Sequence, residues 1–265
     1  VEEVNTETGE VTGALAPIDA GSKEVGAVDE DLLAQLAADA KDVAAVERTS
    51  LYPSLRITQD KKFVLEGVNL KDPFRCIILL AAFENSYYKA AYDPDEIAPP
   101  DCFALGYEED LLAPPADLAT KQADACAICP LNEWGSGRGK GKACSNHRKL
   151  ALLEPEPKSV KDGQVCFVRL APTSLANYAK YVKRVAAMHT MPPYAVVSRL
   201  SFDKDKGYPV VTFETEKLIS DPTFLRGIMD LRERIKPLLI EPPQSKAAVE
   251  EKEAKPEKKE KRAKY

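Results

Sequence analysis

Three cysteines fall within one short stretch, and a fourth lies a little upstream. Cys126-Ala127-Ile128-Cys129 separates two thiols by two residues, which puts both on one tight knuckle able to grip one face of a tetrahedral ion. Cys144 follows after fourteen intervening residues. A closed structural zinc site needs four such ligands, drawn from cysteine or from cysteine with histidine. The fourth is Cys102 or His147. Cys102 is preferred because a fourth thiolate completes the softest set, while His147 would make an equally legal Cys-x2-Cys…Cys-x2-His pattern. The competing readings are unrelated thiols, or disulfides of an oxidising compartment. The cofactor expected is therefore structural Zn2+ held by Cys102, Cys126, Cys129 and Cys144, with His147 as the alternative fourth ligand.

The loop inside the knuckle adds charge. Gly135 to Lys142 contains four glycines, one serine and the cations Arg138, Lys140 and Lys142. Glycine at that density opposes helix and strand alike, so the expectation is a flexible basic finger pinned at both ends by the metal. Arg148 and Lys149 follow closely. Such a finger suits a polyanion backbone. A phosphate-binding P-loop is excluded by spacing, because neither Gly139-Lys140-Gly141 nor Gly141-Lys142-Ala143 supplies the required hydroxyl. The plainer alternative is a solvated loop without a partner.

Aromatic residues accompany these cations. Tyr87, Tyr88, Lys89 and Tyr92 lie within six residues, and Trp134, the single tryptophan, stands at the mouth of the loop. Stacking rings beside cations are the equipment of a single-stranded nucleic-acid binder. Half-buried strand tyrosines, and a tryptophan lid on the knuckle, are the structural alternatives. Catalysis finds little support. A zinc deaminase needs a His-x-Glu motif that is absent, Asp93-Pro94-Asp95-Glu96 reads as a turn, and His189 has no evident partner. No enzyme activity is expected.

Composition sets the outer bounds. The 265 residues carry 37 Lys and Arg against 42 Asp and Glu, a formal net charge of -5. The imbalance is local: residues 1–48 hold twelve acidic and three basic residues, and residues 246–265 hold eight basic and five acidic ones. Local charge, not the net, steers an approaching ligand. The longest apolar run, Cys76 to Phe83, has eight residues, far short of the ~20 that span a bilayer. The acidic start lacks a cationic lead and apolar core, so no signal peptide is expected. A reducing, cytoplasmic setting follows, with no membrane partner.

These residues need elements to position them. Residues 1–48 read as an acidic disordered tail with a short amphipathic helix over 29–46, able to pack on the core or on a second copy as a homo-oligomer. The core spans 49–240. Leu55 and Ile57, then Phe63, Leu65 and Val68, form two short strands around a polar turn at Asp60-Lys61-Lys62, whose lysines are further candidate phosphate contacts. Phe74 to Phe83 is apolar almost throughout and so is buried on both faces. Cys102 to Leu105, Leu150 to Leu153 and Val165 to Leu170 follow as strands. Cys76 and Cys166, in such runs, are buried free thiols. A helix over 173–189 is capped by Thr173. Tyr194 to Phe202 and Tyr208 to Phe213 make a hairpin whose turn places Gly207 at positive φ. Asp221-Pro222 starts a last helix to about Lys236. Residues 241–265 form a charged, disordered tail.

The fold class is α+β, mainly β. Several strands, one crossing helix and a closing hairpin can be laid on an OB-like barrel with the zinc knuckle inserted between strands. In that architecture the chain resembles phage single-stranded-DNA-binding proteins of the T-even type, and the OB domain of the large subunit of eukaryotic replication protein A that carries a zinc ribbon. Cys126, Cys129, Pro130, Asn132, Trp134, Gly135, Ser136, Gly139, Gly141, Lys142 and Cys144, together with Asp93-Pro94-Asp95 and Pro99-Pro100-Asp101-Cys102, also resemble a group of uncharacterised tailed-phage zinc-knuckle proteins over most of residues 50–240. The first resemblance implies non-sequence-specific binding of single-stranded DNA in phage replication or recombination, in the host cytoplasm, with partner proteins reached through the tails. The basic end is a departure, since single-strand binders commonly finish in an acidic tail. The other expectation is a zinc-stabilised protein-interaction module that binds no nucleic acid.

Overall fold

The computed structural model describes residues 52–90, 98–157, 159–160 and 163–242, together with Gln35. The two tails, most of the 29–46 helix and the Asp93 turn lie outside the described residues. Nine strands and two long helices follow in chain order: β1 (Ser54–Ile57), β2 (Phe63–Leu65), β3 (Val68–Asn69), β4 (Phe74–Tyr87), β5 (Cys102–Gly106), β6 (Ser145–Leu153), β7 (Val165–Leu170), α1 (Pro172–His189), β8 (Val196–Phe202), β9 (Val211–Leu218) and α2 (Pro222–Leu239). The fold is α+β and mainly β. Among the described residues no helix is long and apolar enough to cross a membrane.

Strand β4 is the spine. It has fourteen residues and serves three neighbours. β6 pairs antiparallel along Ile77–Ser86. On the other side β8 pairs with Phe74–Cys76 and β5 with Phe83–Tyr87. A register shift between Ile78 and Leu80 marks a bulge. Side chains on either side of it serve both faces, as the near-continuous apolar run requires. Cys76, Ile78 and Ala81 join one core, and Ile77, Leu79, Leu80 and Ala82 join the other.

The sheet order is β3-β2-β1-β7-β6-β4-β8-β9, with β5 added on β4. The path is open: no ladder among the described residues joins its ends, so the strands do not draw the closed ring of an OB barrel. They curl instead. Phe63 on β2 stacks on Phe202 on β8 with ring centroids 4.4 Å apart. Those strands are five steps apart in the order, which in a flat sheet would separate them by ~24 Å at ~4.8 Å per step. The Lys61 ammonium in the β1–β2 turn also donates to the Asp203 carbonyl at 3.3 Å and to that of Lys206 in the β8–β9 turn.

One helix covers each face. Tyr178, Tyr181 and Val185 of α1 fill the concave side with Leu55, Phe63, Leu150 and Leu200. Ile228, Leu231, Ile235 and Leu239 of α2 pack the other with Ile77, Leu79 and Leu153. Helix α1 also caps the open edge of β9. Ser174 Oγ accepts from the Val211 amide at 2.9 Å, Asn177 donates to the Val211 carbonyl at 3.0 Å, and Arg184 to the Phe213 carbonyl at 2.7 Å. An edge covered in this way offers fewer free groups for pairing with another chain.

Three local expectations need correction. Helix α1 begins at Pro172 with Ala171 as its cap and no side-chain cap bond, so Thr173 lies inside the helix. Gly207 is not among the positive-φ residues. Helix α2 runs past Lys236 to Leu239 with Pro237 inside it, because burying Leu239 on the core outweighs one lost amide near the helix end. The Asp221 cap is as read: its carboxylate accepts from the Thr223 and Phe224 amides at 2.8 and 3.3 Å. Replacing it, Asp221→Ala, is expected to cost ~1 kcal/mol in urea unfolding, with Asp221→Asn recovering most of that.

Candidate metal centre and basic loop

The four cysteines come from three separated pieces of chain. Cys102 opens β5, opposite Tyr87. Cys126 and Cys129 bracket one 3-10 turn, Cys126–Ile128, and a second, Pro130–Asn132, follows at once. Pro130 suits a first turn position, where no amide donor is needed. Cys144 directly precedes β6. Backbone bonds clamp the pieces together: the Cys126 amide donates to Leu112 O at 2.8 Å and the Cys144 amide to Leu131 O at 2.8 Å. All four cysteines line one cleft, with Asn85, Tyr87, Phe103 and Asn132 among its other walls.

The thiols sense one another. Burial first, then Cys126, Cys129 and Cys102, push the Cys144 thiol up to about 12, with Lys142 opposing. Burial also raises Cys126, a hydrogen bond from Asn85 opposes it, and Cys102 and Cys129 add to the rise. Thiolates gathered this way repel unless a cation joins them, so the donor chemistry fits a soft divalent metal. The geometry is not closed. Among the described residues no three or more His, Cys, Asp and Glu side chains are grouped so as to hold a metal ion as they stand. Ligation would require the sulfurs to close to ~3.8 Å of one another, the edge of a tetrahedron with Zn–S of ~2.3 Å.

His147 is placed elsewhere. It sits on β6 opposite Glu84, and its Nδ1 is 3.1 Å from the Leu170 carbonyl. A carbonyl can only accept, so Nδ1 carries the proton. His147 is not among the residues lining the cysteine cleft, whereas Asn146, one residue earlier, turns toward Asn85 and Asn132. That is the alternation of a strand.

The glycine loop has no helix or strand, as expected, but it is no loose finger. The amides of Gly135 and Gly137 both donate to Gly141 O, at 2.9 and 3.0 Å. The Ser136 hydroxyl lies 2.9 and 2.6 Å from the Leu131 and Glu133 carbonyls and accepts from the Ala143 amide at 3.0 Å. Gly135 and Gly139 have φ of 91° and 65°. A Cβ on Gly137 would lie 2.6 Å from the Lys142 carbonyl carbon. The glycines allow the chain to cross itself closely, and the result is a cross-bonded knot.

The remaining candidates divide. Trp134 is 80% exposed, so it is no lid. Lys142 Nζ lies 5.5 Å from its ring centroid, and Arg138 and Lys140 are exposed beside it in the loop. Tyr88 is 48% exposed, while Tyr87 forms part of the cleft wall. The Lys89 amide is held by Asp101 Oδ2 at 2.7 Å. Tyr92 lies outside the described residues. Arg148 and Lys149 are half-buried on β6. Arg148 stacks 3.1 Å from the Phe83 ring centroid and faces Glu109 at 3.7 Å, and Lys149 lies over Phe167. Lys61 is engaged with the β8–β9 turn and Lys62 pairs with Asp60. Asn85 and Asn146 carry no signal when the residues are read singly. Asn132 stands among the residues of the tailed-phage resemblance, which gives it no role.

No protein-family model matches this chain, and neither a curated protein nor a solved structure matches it.

Burial chiefly, then the neighbouring Arg169, hold His147 down to about 4 from 6.5, against the opposing bond to Leu170. The unfolded chain therefore takes up this proton at higher pH than the folded protein. Stability is full above pH 6.5 and falls as pH drops toward 4. Urea unfolding across that window should lose on the order of 3 kcal/mol from this group, and His147→Gln should flatten the dependence.

Proposed function

We propose that the protein binds single-stranded nucleic acid without sequence specificity, in the manner of the phage replication and recombination proteins it resembles. The carrying observation is Trp134: an 80% exposed indole with the Lys142 ammonium 5.5 Å from its ring centroid, on the loop that also carries the exposed Arg138 and Lys140. A base stacks on the ring while flanking phosphates meet the cations, and each such stack contributes ~1–3 kcal/mol. Tyr88 extends the aromatic surface. The curled sheet is the OB-like support of this reading. Zinc on Cys102, Cys126, Cys129 and Cys144 is its staple; when bound it supplies charge neutralisation and rigidity, and the reading assigns it no catalytic step. The setting is the host cytoplasm, with replication or recombination partners reached through the tails.

A second reading has one observation in its favour. Ile128 is 71% and Leu111 72% exposed, and exposed apolar side chains near a knuckle suit a protein partner. That module would bind no nucleic acid.

Titrating the protein with labelled oligo-dT at low and high salt, with zinc quantified on the same sample, separates the two. Expected are quenching of Trp134, affinity that falls steeply with salt, and about one zinc per chain. Trp134→Ala should weaken binding about tenfold. Affinity indifferent to salt refutes the nucleic-acid reading, and stoichiometric zinc without oligonucleotide binding transfers the site to the protein-interaction reading. Chelating the metal should lower the melting temperature whichever ligand binds.

A further inference from the structure

A line of amides starts from the wall of the cysteine cleft, where Asn85 and Asn132 stand. Asn132, the last residue of the 3-10 turn Pro130–Asn132, lies at its centre. Its Nδ2 donates to the Cys126 carbonyl at 3.0 Å. Its Oδ1 accepts twice, from Lys142 Nζ at 3.1 Å and from Asn146 Nδ2 at 3.0 Å. Asn146 Nδ2 also donates to Asn85 Oδ1 at 2.6 Å, and Asn85 is buried. Both lone pairs of the Asn132 carbonyl are therefore in use. A lysine on a glycine-rich loop would ordinarily sweep through its rotamers, a freedom worth ~2 kcal/mol. Here its ammonium is tied at the point where it overlies Trp134.

We infer that Asn132 is a positioning residue that fixes the Lys142 ammonium against the Trp134 ring, making a stacking platform already charged for a base with its adjoining phosphate, and joins that platform to the Cys126 turn. The ligand class rests on the reading of Trp134 as a nucleic-acid platform; the anchor itself does not. A merely structural asparagine would hold the turn and leave the charge at the indole unchanged. An anchoring one sets that charge, and the charge can be read without nucleic acid.

Trp134 is the only tryptophan, so its fluorescence reports this position alone. Quenching by iodide, an anion, is compared with quenching by neutral acrylamide in the full chain. The Lys142 charge should raise the iodide-to-acrylamide ratio about twofold over that of Lys142→Met, an order expected for one nearby screened charge. Asn132→Ala, which retains the lysine, should fall to the Lys142→Met ratio. A wild-type ratio in folded Asn132→Ala overturns the inference, and so does a Lys142→Met ratio equal to wild type. If circular dichroism shows Asn132→Ala unfolded, Lys142→Met breaks the same bond from the loop side. Amide exchange at Asn132, Gly135, Gly137 and Ala143 should then quicken several-fold, and unchanged exchange overturns the anchor. With oligo-dT at low salt, Asn132→Ala should bind about three- to tenfold more weakly with a shallower salt slope. A wild-type protein that binds no oligonucleotide, alongside a collapsed quenching ratio in Asn132→Ala, upholds the anchor and overturns the ligand class.

Discussion

The structure depends on burying both faces of one long strand. The apolar run from Cys76 to Phe83 cannot leave either face in water without a large cost, at ~25 cal/mol per Å2 of apolar surface. One helix is therefore needed on each side. Tyr178, Tyr181 and Val185 of α1 meet one set of β4 residues, and Ile228, Leu231 and Ile235 of α2 meet the other. Strand alternation divides the side chains between the two cores, and the bulge between Ile78 and Leu80 resets its phase, so that Leu79 and Leu80 serve the same face.

Beyond the bulge the same strand changes character. Its last residues are Phe83-Glu84-Asn85-Ser86-Tyr87, with Asn85 and Ser86 buried. Buried polar groups need partners, and they have them: Asn85 bonds Asn146, and Ser86 receives a 2.7 Å bond from Arg169, which also pairs with Glu84 at 2.9 Å. The apolar half of β4 is thus the core of the fold, and its polar half is a wall of the cysteine cleft. The glycine loop is cross-bonded by its own backbone and by Ser136, so the exposed indole is carried on a defined loop. Ring and cation keep a set separation because Asn132 spans the distance between the turn and Lys142.

Much of this was legible from residue order. The apolar run announced a strand buried on both faces, and Asp221-Pro222 announced a capped helix; both are local chemistry that neighbours cannot easily override. Thr173 and Gly207 misled for a shared reason. A cap residue or a turn glycine states what a position permits, and whether the permission is used depends on where the chain is pulled. At α1 the helix starts one residue earlier, with Pro172 at its first position. The strand order was the least legible part. β1 pairs parallel with β7, more than a hundred residues later, and no periodicity encodes that choice.

By itself the sequence determined the main strands and helices, the two-faced spine, the spacing of Cys126, Cys129 and Cys144 and the basic glycine loop, because each follows from side-chain chemistry at fixed spacing. Only the tertiary structure decided what those pieces meet. The curl that brings Phe63 onto Phe202 arises from twist accumulated over five strand steps. The facing of His147 toward Leu170 and of Asn146 toward Asn85 and Asn132 follows from strand alternation, which becomes specific only once the register with β4 is set. The gathering of Asn85, Asn132, Asn146 and Lys142 needs β4, a 3-10 turn, β6 and a loop to converge. Hydrogen bonds reach about 3 Å, and only folding brings residues so distant in the chain within that reach.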